Sequence, residues 1–159
     1  MKKYAYICMC AIMAAGCIFQ GDKIKFETVA KGDSSYEGTD ALFFVATSYE
    51  DTLAFSQYTG QQELLKSLDY NKYVVVCAFQ GVKPKGYDIL IQELIRKERA
   101  IIFLTTFREP TFGESVSSEY ASPFHIVRVK KSEIGMTGVV SFLLQDTRGF
   151  LHSKIDVIL

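Results

Sequence analysis

The chain has no tryptophan, only two histidines, and no excess of either charge: 18 basic residues face 18 acidic ones in 159. Each shortage closes a class of function. His125 and His152 stand far apart, with no Cys pair and no His-x3-His spacing, so the usual zinc ligand patterns are missing. Without a basic surplus the chain lacks the electrostatic footprint of a nucleic-acid binder. It has neither a Gly-x-Gly-x-x-Gly turn nor a Walker loop, so a nucleotide site has no support. What is present is a packed chain. Hydrophobic residues make up 48% and charged residues 23%, which excludes a disordered or low-complexity polymer. The length suits one domain and is too short for two. Nine Tyr and twelve Phe make it rich in aromatics.

The first residues read as a leader. Lys2 and Lys3 form a basic start, residues 4–13 an uncharged and mostly apolar stretch, and Ala14-Ala15-Gly16-Cys17 a small-residue cut. The apolar stretch is too short for a spanning helix of ~20 residues. Cysteine at the first mature position is the lipoprotein form of this signal, with Cys17 as the acyl acceptor and palmitate among the expected chains. Ala14 departs from the usual Leu-like residue. The alternative is an ordinary secretory signal cut nearby. Residues 17–22 would then be a tether and 23–159 a single domain. Of the four cysteines, at 8, 10, 17 and 77, cleavage and lipidation leave Cys77 alone, so the mature chain has no internal disulfide. Cys77 sits in an apolar run and reads as a small buried hydrophobe. Cleavage also removes Lys2 and Lys3, leaving 16 basic against 18 acidic residues and a charge of −2. No basic patch is therefore expected to help hold an anionic membrane.

Residues 23–27 alternate polar and apolar and read as a half-buried strand. Residues 31–35 and 37–40 read as loop, and 41–47 as a short strand. Ser48 can cap a helix that carries Glu50 and Asp51 at its positive end and runs to about Gln57. Gly60 breaks it, and residues 61–68 form a second short helix with Leu64, Leu65 and Leu68 on one face. The run 73–79 is β-branched and apolar on both faces, hence a central strand. Residues 81–86 form a turn, 87–94 a strand with a charged exit at 96–99, and 100–107 another strand buried on both faces. Residues 108–122 are a long loop and 124–130 a strand. Residues 139–144 and 150–159 form a closing hairpin around Asp146-Thr147-Arg148-Gly149. The expected class is α+β, with mostly antiparallel sheet, curled or as a partial barrel or sandwich, and one or two short helices near 49–68.

Catalytic patterns are sparse. Gly113-Glu114-Ser115-Val116-Ser117 matches a nucleophile elbow only by halves, because Ser117 stands where the second glycine belongs. His125 is expected on a strand, facing solvent or bonded to a neighbour. Asp146 and Asp156 flank His152 in what reads as a solvated hairpin.

Two segments carry a resemblance: residues 73–89 (YVVVCAFQGVKPKGYDI) and residues 121–129 (ASPFHIVRV). Together they resemble the C-terminal domain of the protease complex subunit PrcB family. That domain has an apolar strand ending in Gly, a Pro-containing turn, a Gly-Gly-Tyr entry to the next strand, and a Ser/Gln-Pro-Tyr/Phe-His-Ile-Val strand. The resemblance covers residues 71–131, so the hairpin 139–159 lies beyond it. Lys85 replaces the first glycine of the Gly-Gly-Tyr, which costs energy if that position needs a positive φ. The resemblance implies a non-enzymatic accessory lipoprotein that binds and stabilises or assembles a surface subtilisin-like protease of the dentilisin type. Its place would be the outer membrane or cell envelope, held by lipid and either periplasmic or surface-exposed. No cofactor, metal, nucleic acid or small-molecule substrate is expected. The alternative is a protease inhibitor that inserts a loop into the protease cleft. The partner-binding candidates are Lys83, Lys85 and Tyr87 from the first loop and Arg108, Phe112 and Tyr120 from the second. Phe112 and Tyr120 are rigid anchors, and Arg108 can pair bidentately with a carboxylate.

Overall fold

A computed structural model describes residues 21–114 and 118–159. The leader, Cys17, and Ser115 and Ser117 of the half-matched elbow lie outside the described residues. The elements run β1 (Asp22–Ile24), β2 (Glu27–Ser34), β3 (Leu42–Ala46), α1 (Tyr49–Thr59), α2 (Gln62–Lys66), β4 (Tyr73–Phe79) and β5 (Lys83–Pro84). They continue with β6 (Asp88–Lys97), β7 (Ala100–Arg108), β8 (Tyr120–Lys130), α3 (Lys131–Ile134), β9 (Val139–Asp146) and β10 (Leu151–Ile158). The class is α+β, as expected, with α3 as a helix the sequence reading did not place. One sheet has the order β1-β6-β7-β9-β10 and the other β2-β8-β4-β3, with β5 beside the start of β8.

The chain packs in three layers: the first sheet, the second sheet, and helices α1 and α2 on its far side, while Ile134 of α3 joins the core between the sheets. Strand β4 shows why. Val74, Val76 and Ala78 face the first sheet and join Ile101, Phe103, Phe142 and Leu144. Val75, Cys77 and Phe79 face the other way, toward Phe55 of α1 and Leu65 of α2. A strand wedged between two apolar layers has no polar face to show, which is what the unbroken run 73–79 demanded. Phe43 and Phe103 meet edge-on across the inter-sheet core, with ring centroids 5.3 Å apart. Cys77 is fully buried, and burial pushes its thiol pKa well up. Helix α1 starts as expected. Ser48 Oγ accepts the Asp51 N–H at 3.2 Å, and the Asp51 carboxylate accepts the Ser48 N–H at 3.0 Å, a reciprocal cap.

Several boundaries differ from the sequence reading. The expected strand 23–27 is two strands. The chain leaves the first sheet after Ile24 and joins the second at Glu27, so Asp22, assigned to the tether, is already paired with Arg96. Residues 31–34, read as loop, belong to β2, where Lys31, Gly32 and Asp33 pair with His125, Phe124 and Pro123 of β8. An edge strand tolerates these turn-prone residues because β8 supplies the hydrogen bonds whatever their propensity. Strand β6 runs on to Lys97, so half of the charged exit is strand. Strand β8 starts at Tyr120 and shortens the long loop. Pairing is not antiparallel throughout: β7 and β9 run parallel. Between them β8 crosses to the second sheet and α3 leads back, so β9 arrives in the direction of β7.

Candidate functional site

The loop end of the sandwich forms where β4 stops and β8 starts. Gln80 donates its N–H to Pro123 O at 2.9 Å, and Val82 to Gly38 O at 2.8 Å. Gly81 lies between them at φ 87°, where a Cβ would sit 2.3 Å from Thr39 O. Only glycine fits so close an approach. Strand β5 then lays Lys83 opposite Ala121 and Pro84 opposite Tyr120. Lys85 donates its N–H to Glu119 O at 2.8 Å, and its ammonium pairs with the Glu119 carboxylate. This hydrogen bond, with the charge attraction, raises the Lys85 pKa and lowers that of Glu119. The glycine replaced at Lys85 is not missed. Among the described residues Glu98 is the only non-glycine with positive φ, and the positive φ next to Lys85 falls on Gly86, at 111°. Gly86 also packs against Pro110, which joins the first loop to the second.

The second loop is organised by a carboxylate the sequence reading passed over. Glu114 accepts the Arg108 guanidinium at 2.8 Å and the Thr111 N–H at 2.8 Å. It returns its own N–H to Thr111 O at 3.0 Å. The Thr111 N–H bond, with the nearby charge of Arg108, lowers the Glu114 pKa against the opposing effect of desolvation. Phe112 and Gly113 are the tip of this closed turn, and Phe112 is fully exposed. Tyr120 is 67% exposed at the first position of β8. Tyr87 is half-buried. All six candidates therefore gather at one end. Arg108 is occupied within its own loop and Lys85 within the β5–β8 join, which leaves Phe112 and Tyr120 as the projecting groups. The signal for Glu114 was present as Thr-x-x-Glu, the spacing at which a carboxylate returns to a backbone N–H.

His125 sits just below this end and ties the two sheets together. It is 1% exposed on β8. Its Nδ1 accepts the Ile91 N–H from β6 at 3.0 Å, which makes Nε2 the donor to Thr28 Oγ1 of β2 at 2.9 Å. The Ile91 N–H is free to bond sideways because β6 bulges against β7 between Ile91 and Glu93. Burial first, then the positive charge of Lys31, pushes the His125 pKa down to about 4 against the pull of Asp88. The ring is a neutral cross-brace with both nitrogens engaged. Ser122 is buried nearby on the same strand, and Ser118 is exposed.

His152 lies between Phe107 and Phe150, at centroid distances of 4.5 and 4.9 Å, with Nε2 3.6 Å from Asp146. Asp146 is not solvated as expected but 3% exposed, and accepts the N–H groups of Arg148 and Phe150 at 2.9 and 2.8 Å. Burial raises its pKa, and these bonds with the Arg148 guanidinium outweigh that and leave it low. The group shapes the β9–β10 turn. Among the described residues, no three His, Cys, Asp or Glu side chains are placed to hold a metal. No helix in them is long and apolar enough to cross a membrane. No family model, no curated protein and no solved structure matches the chain.

Proposed function

We propose that this protein is a lipid-anchored accessory subunit that docks on a subtilisin-like protease complex through the loop end. The observation that carries the reading is the pairing of exposed aromatics with an internally braced scaffold. Phe112 and Tyr120 project, while Glu114 and Glu119 hold the backbone beneath them. A braced anchor loses little conformational entropy on binding, and Phe and Tyr rings offer large contact areas at few rotatable bonds. The resemblance of residues 71–131 to the PrcB C-terminal domain supports this choice of partner. The leader and Cys17 support the lipid anchor at the outer membrane or elsewhere in the cell envelope. The described sites support a binding role without catalysis: His125 braces the sheets, and Asp146 shapes a turn.

The inhibitor reading has one observation of its own. Phe112 stands at the tip of a short turn locked by Glu114, a shape that suits insertion into a protease cleft with an apolar pocket. One experiment separates the two. The complex is captured from a detergent extract and its protease activity is measured with and without this chain. Lost activity on removal supports a stabiliser, and increased activity supports an inhibitor. Replacing Phe112 and Tyr120 together by Ala is expected to weaken capture by ~1–3 kcal/mol with an unchanged melting temperature. Unaltered capture by the folded double variant rejects this surface. For the anchor, Cys17→Ser is expected to give protein that is soluble or retains its leader. A variant that still partitions into detergent at the cleaved wild-type mobility rejects lipidation at Cys17.

A further inference from the structure

The opposite end of the sandwich, where the described chain begins, carries a feature of different character. Tyr73 opens β4 directly opposite Lys130, the last residue of β8. On either side of this pair lies a surface hollow of about 380 Å³. The first is floored by Tyr73 and Arg128, whose guanidinium lies 4.5 Å over the tyrosine ring. Arg128 is held there by Glu27, at 2.9 Å through Nε and 2.5 Å through Nη2. Lys25 and Lys130 stand at its walls, with Glu133. The second hollow adds Lys131 and Lys72. Lys72 is paired with Asp69 at 3.1 Å. Lys25, Lys130 and Lys131 have no ion-pair partner among the described residues, so one wall group, Glu133, faces three uncompensated ammonium groups.

We infer that this lysine-walled double hollow is a docking site for the anionic headgroups of the bilayer that holds the anchor, an inference that rests on lipidation at Cys17. The argument for lipid, against other anions, is reach. Five residue steps separate Cys17 from Asp22, the first residue of β1, at most about 18 Å of extended chain. Lys25 directly follows β1, in the two-residue link to β2. An acylated Cys17 therefore keeps this end next to the headgroups. There each lysine near the surface adds ~1 kcal/mol of attraction within a Debye length of ~10 Å. Each hollow is large enough for a phosphate-bearing headgroup. The chain as a whole has a charge of −2 from residue 17 onward. The expectation of no basic patch followed from that total; the fold nevertheless brings these lysines to one surface. Lys25, Lys72 and the adjacent pair Lys130-Lys131 come from three separate segments and meet because the end of β1, the start of β4 and the end of β8 lie at one place.

The test uses the chain from residue 17 with Cys17→Ser, which keeps every described strand and helix, and so measures headgroup binding without any acyl chain. Co-sedimentation is measured with vesicles of 30% phosphatidylglycerol in phosphatidylcholine and with pure phosphatidylcholine. The expected result is binding to the anionic vesicles alone, lost at high salt. It should be roughly 100-fold weaker in the triple variant Lys25→Gln, Lys130→Gln, Lys131→Gln, whose melting temperature should match the parent. Equal partition into neutral vesicles, no binding to anionic ones, or a folded triple variant with parental binding overturns the inference. Because no lipid is attached in this assay, the anchor stands or falls separately, on the mobility and detergent partition of Cys17→Ser in the native envelope.

Discussion

The two ends of the sandwich dispose their charges in opposite ways. At the loop end, three charged pairs close internally: Lys31 with Asp88, Lys85 with Glu119 and Arg108 with Glu114, while Lys83 has no ion-pair partner among the described residues. What projects is aromatic. At the end where the described residues begin, Glu27 fixes Arg128 over Tyr73, and Lys25, Lys130 and Lys131 have no ion-pair partner among the described residues. Internal pairing fixes geometry and hides charge, which suits a partner surface of one shape. Unpaired lysines keep their charge and their mobility, which suits a fluid layer of headgroups with no fixed shape. The difference shows that net charge and composition are poor guides to local surface: the same chain presents both.

The comparison breaks most completely if the shared core fails. Val76 is fully buried between the sheets, and its strand contributes to both ends. Val76→Asp places an unpaired carboxylate there, at a cost of several kcal/mol against a total stability of ~5–15 kcal/mol. The expected outcome is loss of the cooperative thermal transition. A folded variant with an unchanged melting temperature would contradict the placement of β4.

Next in size is the brace below the loop end. His125→Ala leaves the Ile91 N–H and the Thr28 hydroxyl without their partner, at ~1–3 kcal/mol for a buried group so stranded. A melting point lowered by several degrees is expected. The pH dependence follows from the same ring. The folded pKa, about 4, lies below the ordinary 6.5, so the unfolded chain takes up the proton first. The contribution of His125 is therefore fully present above pH 6.5, declines as the pH falls, and stops changing below about 4. Melting curves between pH 7 and 4 should show this loss in the wild type and a shallower slope in His125→Ala. Parallel slopes would show that the ring is not neutral in the fold.

The smallest expected effect sharpens the contrast. Glu114→Ala removes the clamp on Thr111 and Arg108 but leaves Phe112 and the core untouched. Calorimetry should find the melting temperature within about 1 °C of the wild type, since exposed pairs contribute little. Affinity for the proposed protease partner should fall by ~0.5–1.5 kcal/mol, the cost of ordering a loop that was ordered before. If affinity is unchanged, the loop end binds by contact area alone and the bracing at the two ends has no functional difference.

Local chemistry was readable along the chain. Ser48 and Asp51 announce the start of α1, and the unbroken run 73–79 matches β4 residue for residue. The Asp146-Thr147-Arg148-Gly149 turn predicts the β9–β10 hairpin. In each case the interactions that decide the element lie within a few residues. The candidate loops were also found, because Gly, Pro and exposed aromatics mark them locally, and the two loops do meet at one end. The clamp by Glu114 was missed because a single glutamate in a loop carries no periodic signal.

The sequence by itself determined the α+β class, the capped start of α1 and the central strand, since caps, turns and apolar periodicity act over short range. Tertiary structure alone decided that β2 forms from turn-prone residues, that β7 and β9 run parallel, that His125 is a neutral brace, and that Lys25 and the Lys130-Lys131 pair share one surface. Each of these depends on strands far apart in sequence supplying the hydrogen bonds, the burial or the proximity, and no local pattern encodes which strand will arrive alongside.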